Sequence, residues 1–379
     1  YVEGFNRFRA WTWTNTVQYK NVFAEKHEVT ALVGTEAVEE WGRSIEGTRI
    51  NYFIEDLNFR ALSSGGASGA RAEGSPYTPV ALFSLFGQAN YAYDNKYLAS
   101  FSIRRDGSSR FGPNYRYGVF PAFSVGWRMS EENFMKDVKW ITDLKLRASW
   151  GQLGNQQGIS AANAIDQYRS GPGSSFYDIN GSSNSTQQGF QLSFVGNPNG
   201  QWERNTTTNI GFDGTFFNGK TEVIFDWYKK DADKLLLGLP GFVFQGAGPV
   251  VAPAAFNVGS MVTKGIDLMV TQRAMIGGKN GVNFSGTLTF TTYDNEITRL
   301  AEGIPFIEGR GSRIGNFIRN APGQPFSSFF GYKVIGLFQD AADVAKSPTQ
   351  DAAAPGRFKY ADIDGDGEIT DADRTFLGS

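Results

Sequence analysis

Residues 362–373 read DIDGDGEITDAD, and their spacing carries the clearest chemistry in the chain. Asp362, Asp364 and Asp366 alternate at positions 1, 3 and 5 of a twelve-residue loop, and Gly367 falls at position 6, where the backbone must turn sharply. Glu368 would offer its backbone carbonyl at position 7. Ile369 is the apolar anchor at 8, Thr370 stands at 9 and Asp373 closes the loop at 12. Carboxylates held this close repel one another, and a hard cation with oxygen ligands relieves that repulsion. The order therefore predicts a structural Ca²⁺ site at Asp362, Asp364, Asp366, Glu368, Thr370 and Asp373. Zinc prefers nitrogen and sulfur and is the poorer fit. Two features depart from the usual calcium loop: Asp replaces the bidentate Glu at position 12, and the preceding RFKYA reads as extended chain, not helix. A solvated acidic turn is the competing reading, because Asp-Gly pairs are common in loops.

Elsewhere the raw material for catalysis is thin. The chain has one histidine, His27, and no cysteine, so a thiol nucleophile, a Ser-His-Asp triad and an HExxH zinc site are not supported, and no enzyme is expected. His27 reads as a turn residue with no ligand role. Glu131-Glu132 is a charge pair at the start of a short segment (130–140, SEENFMKDVKW) that could form a helix capped by Ser130. The glycine-rich stretches 65–70 (GGASGA) and 245–250 (QGAGPV) lack the strand–turn–helix context of a phosphate loop and read as mobile loops. Gln167, Tyr168, Phe176, Tyr177 and Asn180 combine aromatic faces with amides inside a long polar segment, a composition suited to a sugar or peptide ligand and equally to packing between loops.

The elements that must hold these residues are strands. In YLASFSIR, Tyr97, Ala99, Phe101 and Ile103 alternate with Ser100, Ser102 and Arg104, and in DLKLRASW, Leu144, Leu146, Ala148 and Trp150 alternate with Asp143, Lys145, Arg147 and Ser149. Period two gives each strand one apolar and one polar face. Ten such segments are expected, at about 9–19, 27–38, 80–93, 96–104, 118–128, 143–151, 203–217, 220–229, 263–273 and 282–292. The net charge of −2 gives no argument for nucleic acid. No apolar run approaches the ~20 residues of a membrane helix, which excludes helical membrane proteins and leaves β-barrels untouched.

The connections alternate strictly. Those near 21–26, 94–96, 129–142, 218–219 and 274–281 are short. Those at 39–79, 105–117, 152–202, 230–262 and from 293 onwards are long. In an up-and-down meander, turns of one parity lie at one end of the sheet, and short turns opposite long loops is the pattern of outer-membrane barrels. Ser, Thr, Asn and Gln on the polar face suit a hydrated lumen. Trp11, Tyr19, Tyr93, Tyr97, Trp127, Trp150, Trp227 and Tyr228 suit interfacial girdles. The fold expected is all-β: an antiparallel up-and-down meander forming a partial transmembrane barrel of about ten strands with long extracellular loops.

NKYLASFSIRRDGSSRFGPNYRYGVFPAFSVGWRMSEENFM (95–135), LKLRASWGQLGN (144–155), the stretch 202–237, NVGSMVTKGIDL (257–268) and RFKYADIDGDGEITDADRTFLGS (357–379) together resemble SusC/RagA-type TonB-dependent outer-membrane transporters, in family order and over most of the chain. RRDGSSRFG at 104–112 is the most specific match. The resemblance implies a barrel of about 22 strands in the outer membrane of a Bacteroidetes-type bacterium. It implies import of oligosaccharides or peptides, driven by the TonB complex, beneath a SusD-like surface lipoprotein. On that reading residues 1–379 are part of a barrel whose plug and C-terminal strands lie elsewhere in a longer precursor, with 357–379 as a calcium-loop segment within an extracellular loop. The alternative, from another class, is a soluble surface adhesin or glycan-binding β-module with a calcium loop.

Overall fold

The computed structural model describes residues 1–378 apart from 55, 172–174, 180, 182–185, 239–251, 277–280 and 310–314. Eleven strands form one antiparallel sheet: β1 (Val2–Phe23), β2 (His27–Tyr52), β3 (Gly65–Pro76), β4 (Val80–Tyr93), β5 (Tyr97–Ser108), β6 (Tyr117–Arg128), β7 (Ile141–Asn155), β8 (Glu203–Phe216), β9 (Thr221–Asp233), β10 (Gly259–Ile276) and β11 (Val282–Leu300). Sequential strands are neighbours throughout, except that β3 folds back on the far half of β2, whose near half pairs β4.

All ten expected strands are present. Most run several residues further, chiefly at the long-loop end. The second strand, expected to stop near 38, continues to Tyr52, and the supposed loop at 65–70 is the start of β3. The reason is local: beyond the apolar band, strands are wet on both faces, so GRSIEGTR loses the alternation while keeping the backbone ladder.

Three of the short connections are tight because both central residues are left-handed. Ala24-Glu25, Asp94-Asn95 and Asn218-Gly219 have φ of 48° and 58°, 50° and 52°, and 56° and 83°. That is the type I′ requirement, and its twist matches the strands it joins. Residues 129–140 form two 3₁₀ turns, Met129–Glu131 and Asn133–Met135, in place of the expected helix. Ser130 does not cap them; its hydroxyl donates to Asp143 at 2.7 Å.

Cross-strand register settles the faces. Phe83, Phe101, Phe123, Val125, Leu146 and Phe284 fall on one side, and Ser84, Ser102, Ser124 and Arg147 on the other. The burial is inverted relative to a soluble protein: Phe101, Phe123 and Phe284 are 49%, 51% and 54% exposed, whereas Ser84 is fully shielded. No second sheet covers the apolar face among the described residues, so this is a barrel wall facing lipid and not half of a sandwich. That inversion disfavours the soluble module.

Beyond β11 the chain builds a small module. It contains a four-stranded sheet (Ile307–Glu308, Ile318–Asn320, Ser328–Tyr332, Arg374–Gly378), a two-stranded sheet (Val334–Leu337, Phe358–Tyr360) and one short helix, Ala341–Lys346.

Candidate functional site at the long-loop end

The concave face is polar and cross-linked by ions. Arg104 donates to Glu36 at 2.7 Å, Asp106 at 2.6 Å and the Ser84 hydroxyl at 2.8 Å, and its guanidinium sits 5.3 Å from the Phe86 ring centre. Arg147 grips Asp226 with two nitrogens, at 2.5 and 2.7 Å, and reaches Asp213 at 3.0 Å. Bidentate arginine–carboxylate pairs are among the strongest polar links in a protein. The bidentate pair joins β7 to β9, and single ion pairs join β2 to β5 and β7 to β8. They fix the wall and line it with charge; none is arranged as a nucleophile with a base.

At the long-loop end three loops are tied into a buried knot. Phe111 comes from the β5–β6 loop, Ile159 and Trp202 from the β7–β8 connection, and Leu236 and Ala255 from the β9–β10 connection; all pack with Phe120 of β6. Phe111 and Phe120 flank Trp202 at 4.9 and 5.6 Å between ring centres, and the Trp202 indole N–H donates to the Arg116 carbonyl at 3.0 Å. Asn163, almost fully buried, accepts from the Ala255 N–H at 2.9 Å, and Asn197 donates to the Ala255 carbonyl at 3.0 Å. The Asn257 amide bonds the Gln201 and Lys234 carbonyls.

This knot explains the RRDGSSRFG stretch. Arg104 and Asp106 bind the lumen, Ser108 is fully buried, Arg110 donates to the Ile159 carbonyl, and Phe111 is the knot's centre. Gly112 lies against the backbone of Pro198, leaving no room for a Cβ. Sequence reading missed Asn163, Asn197, Trp202 and Phe111 as a unit, because loop residues carry no periodicity; the only available signal was the motif itself.

The expected ligand-surface residues are partly exposed and not assembled. Gln167 and Tyr168 lie on the short strand Gln167–Arg169, which pairs with Gln191–Val195, itself paired in parallel with Ala252–Pro253. Tyr177 is on Tyr177–Asp178, in a separate two-stranded sheet with Thr186–Gln187. Tyr168 and Tyr177 are 65% and 58% exposed and Phe176 is half-buried. Asn180 and the stretch 245–250 lie outside the described residues. His27 opens β2, with Nδ1 2.9 Å from the Tyr91 hydroxyl.

In the acidic loop, carboxylate oxygens of Asp362, Asp364 and Asp373 lie within 4.8 Å of one another. Asp366 turns instead to the Glu368 N–H at 2.8 Å, and the Thr370 hydroxyl accepts from the Ala372 N–H at 3.2 Å. Asp373 is fully buried. Its two oxygens accept from the Thr370 and Ile363 N–H groups at 2.8 and 2.7 Å, and those bonds, Thr370's first, hold its carboxyl below the ordinary range. Asp362 accepts from Gly365 and Gly367 at 2.7 and 3.0 Å. Gly365 and Gly367 have φ of 77° and 87°, the left-handed backbone that such convergence requires. Each carboxylate oxygen has a second lone pair, so the arrangement fits an all-oxygen cation site.

An open antiparallel wall with apolar side chains outward, a charged concave face, short turns at one end and tied loops at the other defines part of an outer-membrane β-barrel. The chain belongs to the TonB-dependent receptor-like β-barrel family, whose model matches residues 3–374. It is 30% identical over 375 residues to TonB-dependent receptor P26 of Formosa agariphila, covering 98% of this chain and 36% of that protein. It is 35% identical over 230 residues to TonB-dependent receptor SusC of Bacteroides thetaiotaomicron, covering 59% of this chain and 21% of that protein. In fold it matches the structure of the RagAB peptide transporter with a TM-score of 0.79 at 24% identity, covering 99% of this chain and 38% of that one. The chain thus spans about a third of the length of the relatives it matches along its whole extent.

Proposed function

We propose that this chain is the barrel wall of an outer-membrane importer of oligosaccharides or peptides. The observation that carries the reading is the concave face, where Arg104 and Arg147 line a wet interior while the loops at the long-loop end are tied into a built surface. Import would be driven by the TonB complex acting on parts of the protein outside these residues. A SusD-like lipoprotein would dock on the long-loop end, over residues 152–201, 235–257 and 302–340, with Tyr168 and Tyr177 offering exposed rings to the ligand or the lid. No catalytic step is assigned to any residue. The test is uptake of fluorescent oligosaccharide and peptide pools by cells with and without the full-length gene. Loss of uptake of one class on deletion supports the reading; unchanged uptake of both refutes it. Purification of the full-length protein from outer membranes without a lipoprotein at any salt concentration would remove the lid from the proposal.

The acidic loop would hold a structural Ca²⁺, with Asp362, Asp364 and Asp373 supplying side-chain oxygens and Asp366, Glu368 and Thr370 the remaining candidate positions. Its part would be to pin the module after β11. Calorimetry on the full-length protein should show calcium uptake in the range of ~10⁻⁴ M expected of an extracellular site, lost in Asp362→Ala/Asp364→Ala. Equal uptake by both forms, or by neither, rules it out.

A further inference from the structure

On the outward face of β1 and β2, toward the long loops, three arginines meet with no carboxylate between them. The register sets Arg7 opposite Arg43 and Arg9 opposite Trp41. With the Gly42 backbone these four residues border a hollow of about 230 Å³. All three arginines are exposed, and their guanidinium groups make no ion pair or hydrogen bond among the described residues. Like charges left side by side repel one another, and an anion between them relieves the repulsion. We propose that the hollow binds the phosphate of lipid A, the anionic glycolipid of the outer leaflet, with the acyl chains of that lipid lying on the wall below.

The imbalance is local to this sector. On the outward faces of β1–β6 toward the long loops, Arg7, Arg9, Arg43 and Arg105 stand against Glu3 and Glu39. The Glu39 carboxylate already accepts from the Trp11 indole at 3.0 Å, and Glu3 lies four residues beyond Arg7 toward the strand tip. Glu36, Glu40 and Glu46 have the opposite parity and face the lumen, where Glu36 holds Arg104. In β8–β11 the outward charges at the same end balance. Lys229 pairs with Asp231 at 2.8 Å, Arg299 with Asp233 at 3.4 Å, Lys264 stands opposite Asp294, and Arg204 and Glu296 keep the count equal.

Height selects the occupant. Trp11 and Trp13, 41% and 65% exposed, mark the aromatic girdle on the long-loop side. Two residues along a tilted strand climb roughly 5 Å, so Arg9 and Arg7 stand roughly 5 and 10 Å above Trp11, at headgroup level. The long loops of such barrels are extracellular, so the leaflet is the outer one, whose headgroups are phosphorylated sugars. Arginine forks match phosphate oxygens two at a time, and Trp41 borders the hollow with a ring suited to stacking on a sugar. Below the girdle the wall is grooved where Gly87 carries no side chain. The groove, about 630 Å³, is bordered by Val17, Val33, Leu85, Ile103 and Val119. Arg105, its guanidinium 3.8 Å from the Tyr117 ring centre, edges it on the long-loop side. An acyl chain in this groove would run up past Trp13 to the arginines.

The test uses the full-length protein, freed of lipid in detergent and titrated with bisphosphorylated lipid A, its phosphatase-treated form or phosphatidylglycerol, with bound lipid counted by native mass spectrometry. Wild type should bind the phosphorylated lipid A tightest. A cation at an anionic membrane surface is worth about fivefold in binding, so Arg7→Gln/Arg9→Gln/Arg43→Gln should weaken it by about a hundredfold and abolish the difference between phosphorylated and phosphatase-treated lipid. Lys229→Gln/Lys264→Gln, in the balanced sector, should leave both unchanged. Thr35→Phe, at the groove, should weaken the two forms of lipid A alike. Equal binding of both forms by wild type, an unchanged preference in the triple arginine variant, or tighter binding of phosphatidylglycerol than of lipid A would each overturn the proposal. Phosphate removal probes the contact without any substitution, and native gel shift on heating checks that each variant is a folded barrel.

Discussion

Phe111→Ala should loosen three loops at once and leave the wall intact. Phe111 is 1% exposed and packs on Trp202 at 4.9 Å between ring centres, in a cluster fed by the loops after β5, β7 and β9. Truncating a buried Phe to Ala costs about 3–5 kcal/mol. Surface loops can partly collapse into the space, so the lower end, about 3 kcal/mol, is expected here. At 1.4 kcal/mol per decade, that is roughly a hundredfold rise in local opening. Hydrogen exchange of the full-length protein reads it directly. The reporters are the N–H groups of Asn197, Ala254 and Ala255, which bond to the Asn163 carbonyl within the β7–β8 connection and, between connections, to the Val195 carbonyl and the Asn163 side chain, at 2.6, 3.0 and 2.9 Å. All three should exchange about a hundredfold faster, while amides in the β5–β6 ladder keep their wild-type protection. Trp202→Phe, which removes the bond to the Arg116 carbonyl and shrinks the buried ring, should cost at least about 1 kcal/mol and accelerate the same amides roughly fivefold or more. If Phe111→Ala leaves the three reporters at wild-type rates, the loops are held by something other than this knot.

Gly112→Ala should be more damaging than its size suggests, because the added methyl meets the Pro198 backbone, which cannot rotate away; a loss of about 1–3 kcal/mol in the same exchange assay is expected, and wild-type behaviour would mean the two loops are not in contact. Arg147→Met takes the cation from Asp226 and leaves Asp213 with Lys145 alone, at 3.8 Å; it should lower the denaturant midpoint of the refolded barrel by the equivalent of about 2 kcal/mol, while Asp226→Asn, which keeps one acceptor, should lose less. Asp373 gives a pH dependence with a definite sign. Its folded carboxyl titrates below the unfolded value, so its contribution is present at neutral pH and lost as pH falls through the acid range below about 4. Exchange at Ile363 and Thr370 should rise over that interval in wild type and be flat in Asp373→Asn.

The strands were legible wherever lipid imposes a rule. From Val80 to Trp150 every apolar outward position was visible as a period of two, and the register in the structure agrees residue by residue. Past the lipid band the rule lapses, which is why the far half of β2 and all of β3 read as loop. The helix expected at 130–140 failed for a different reason: the hydroxyl that was to cap it had a better partner in Asp143. In the acidic loop the turn itself could be read, because left-handed Gly365 and Gly367 are a backbone requirement written in consecutive Asp-Gly pairs. The knot could not, since Phe111, Trp202 and Ala255 are joined only by topology. That topology follows from the meander, but the choice of partners within it does not.

The length of β2 has a mechanical consequence. A strand of 26 residues, tilted as barrel strands are, rises roughly 65 Å, against an apolar band of about 25 Å. Well over half of it therefore stands clear of the bilayer, backed on one side by β1 over 22 residues and on the other by β4 and then β3. What rises from the membrane at this corner is a braced plank and not a loose tether. Hydrogen-bonded ribbons resist bending far better than single chains, so a push on the tip near Tyr52 travels down the ladder to His27 at the opposite rim. A cap leaning on that tip would act on the whole height of the wall through a lever already built into it.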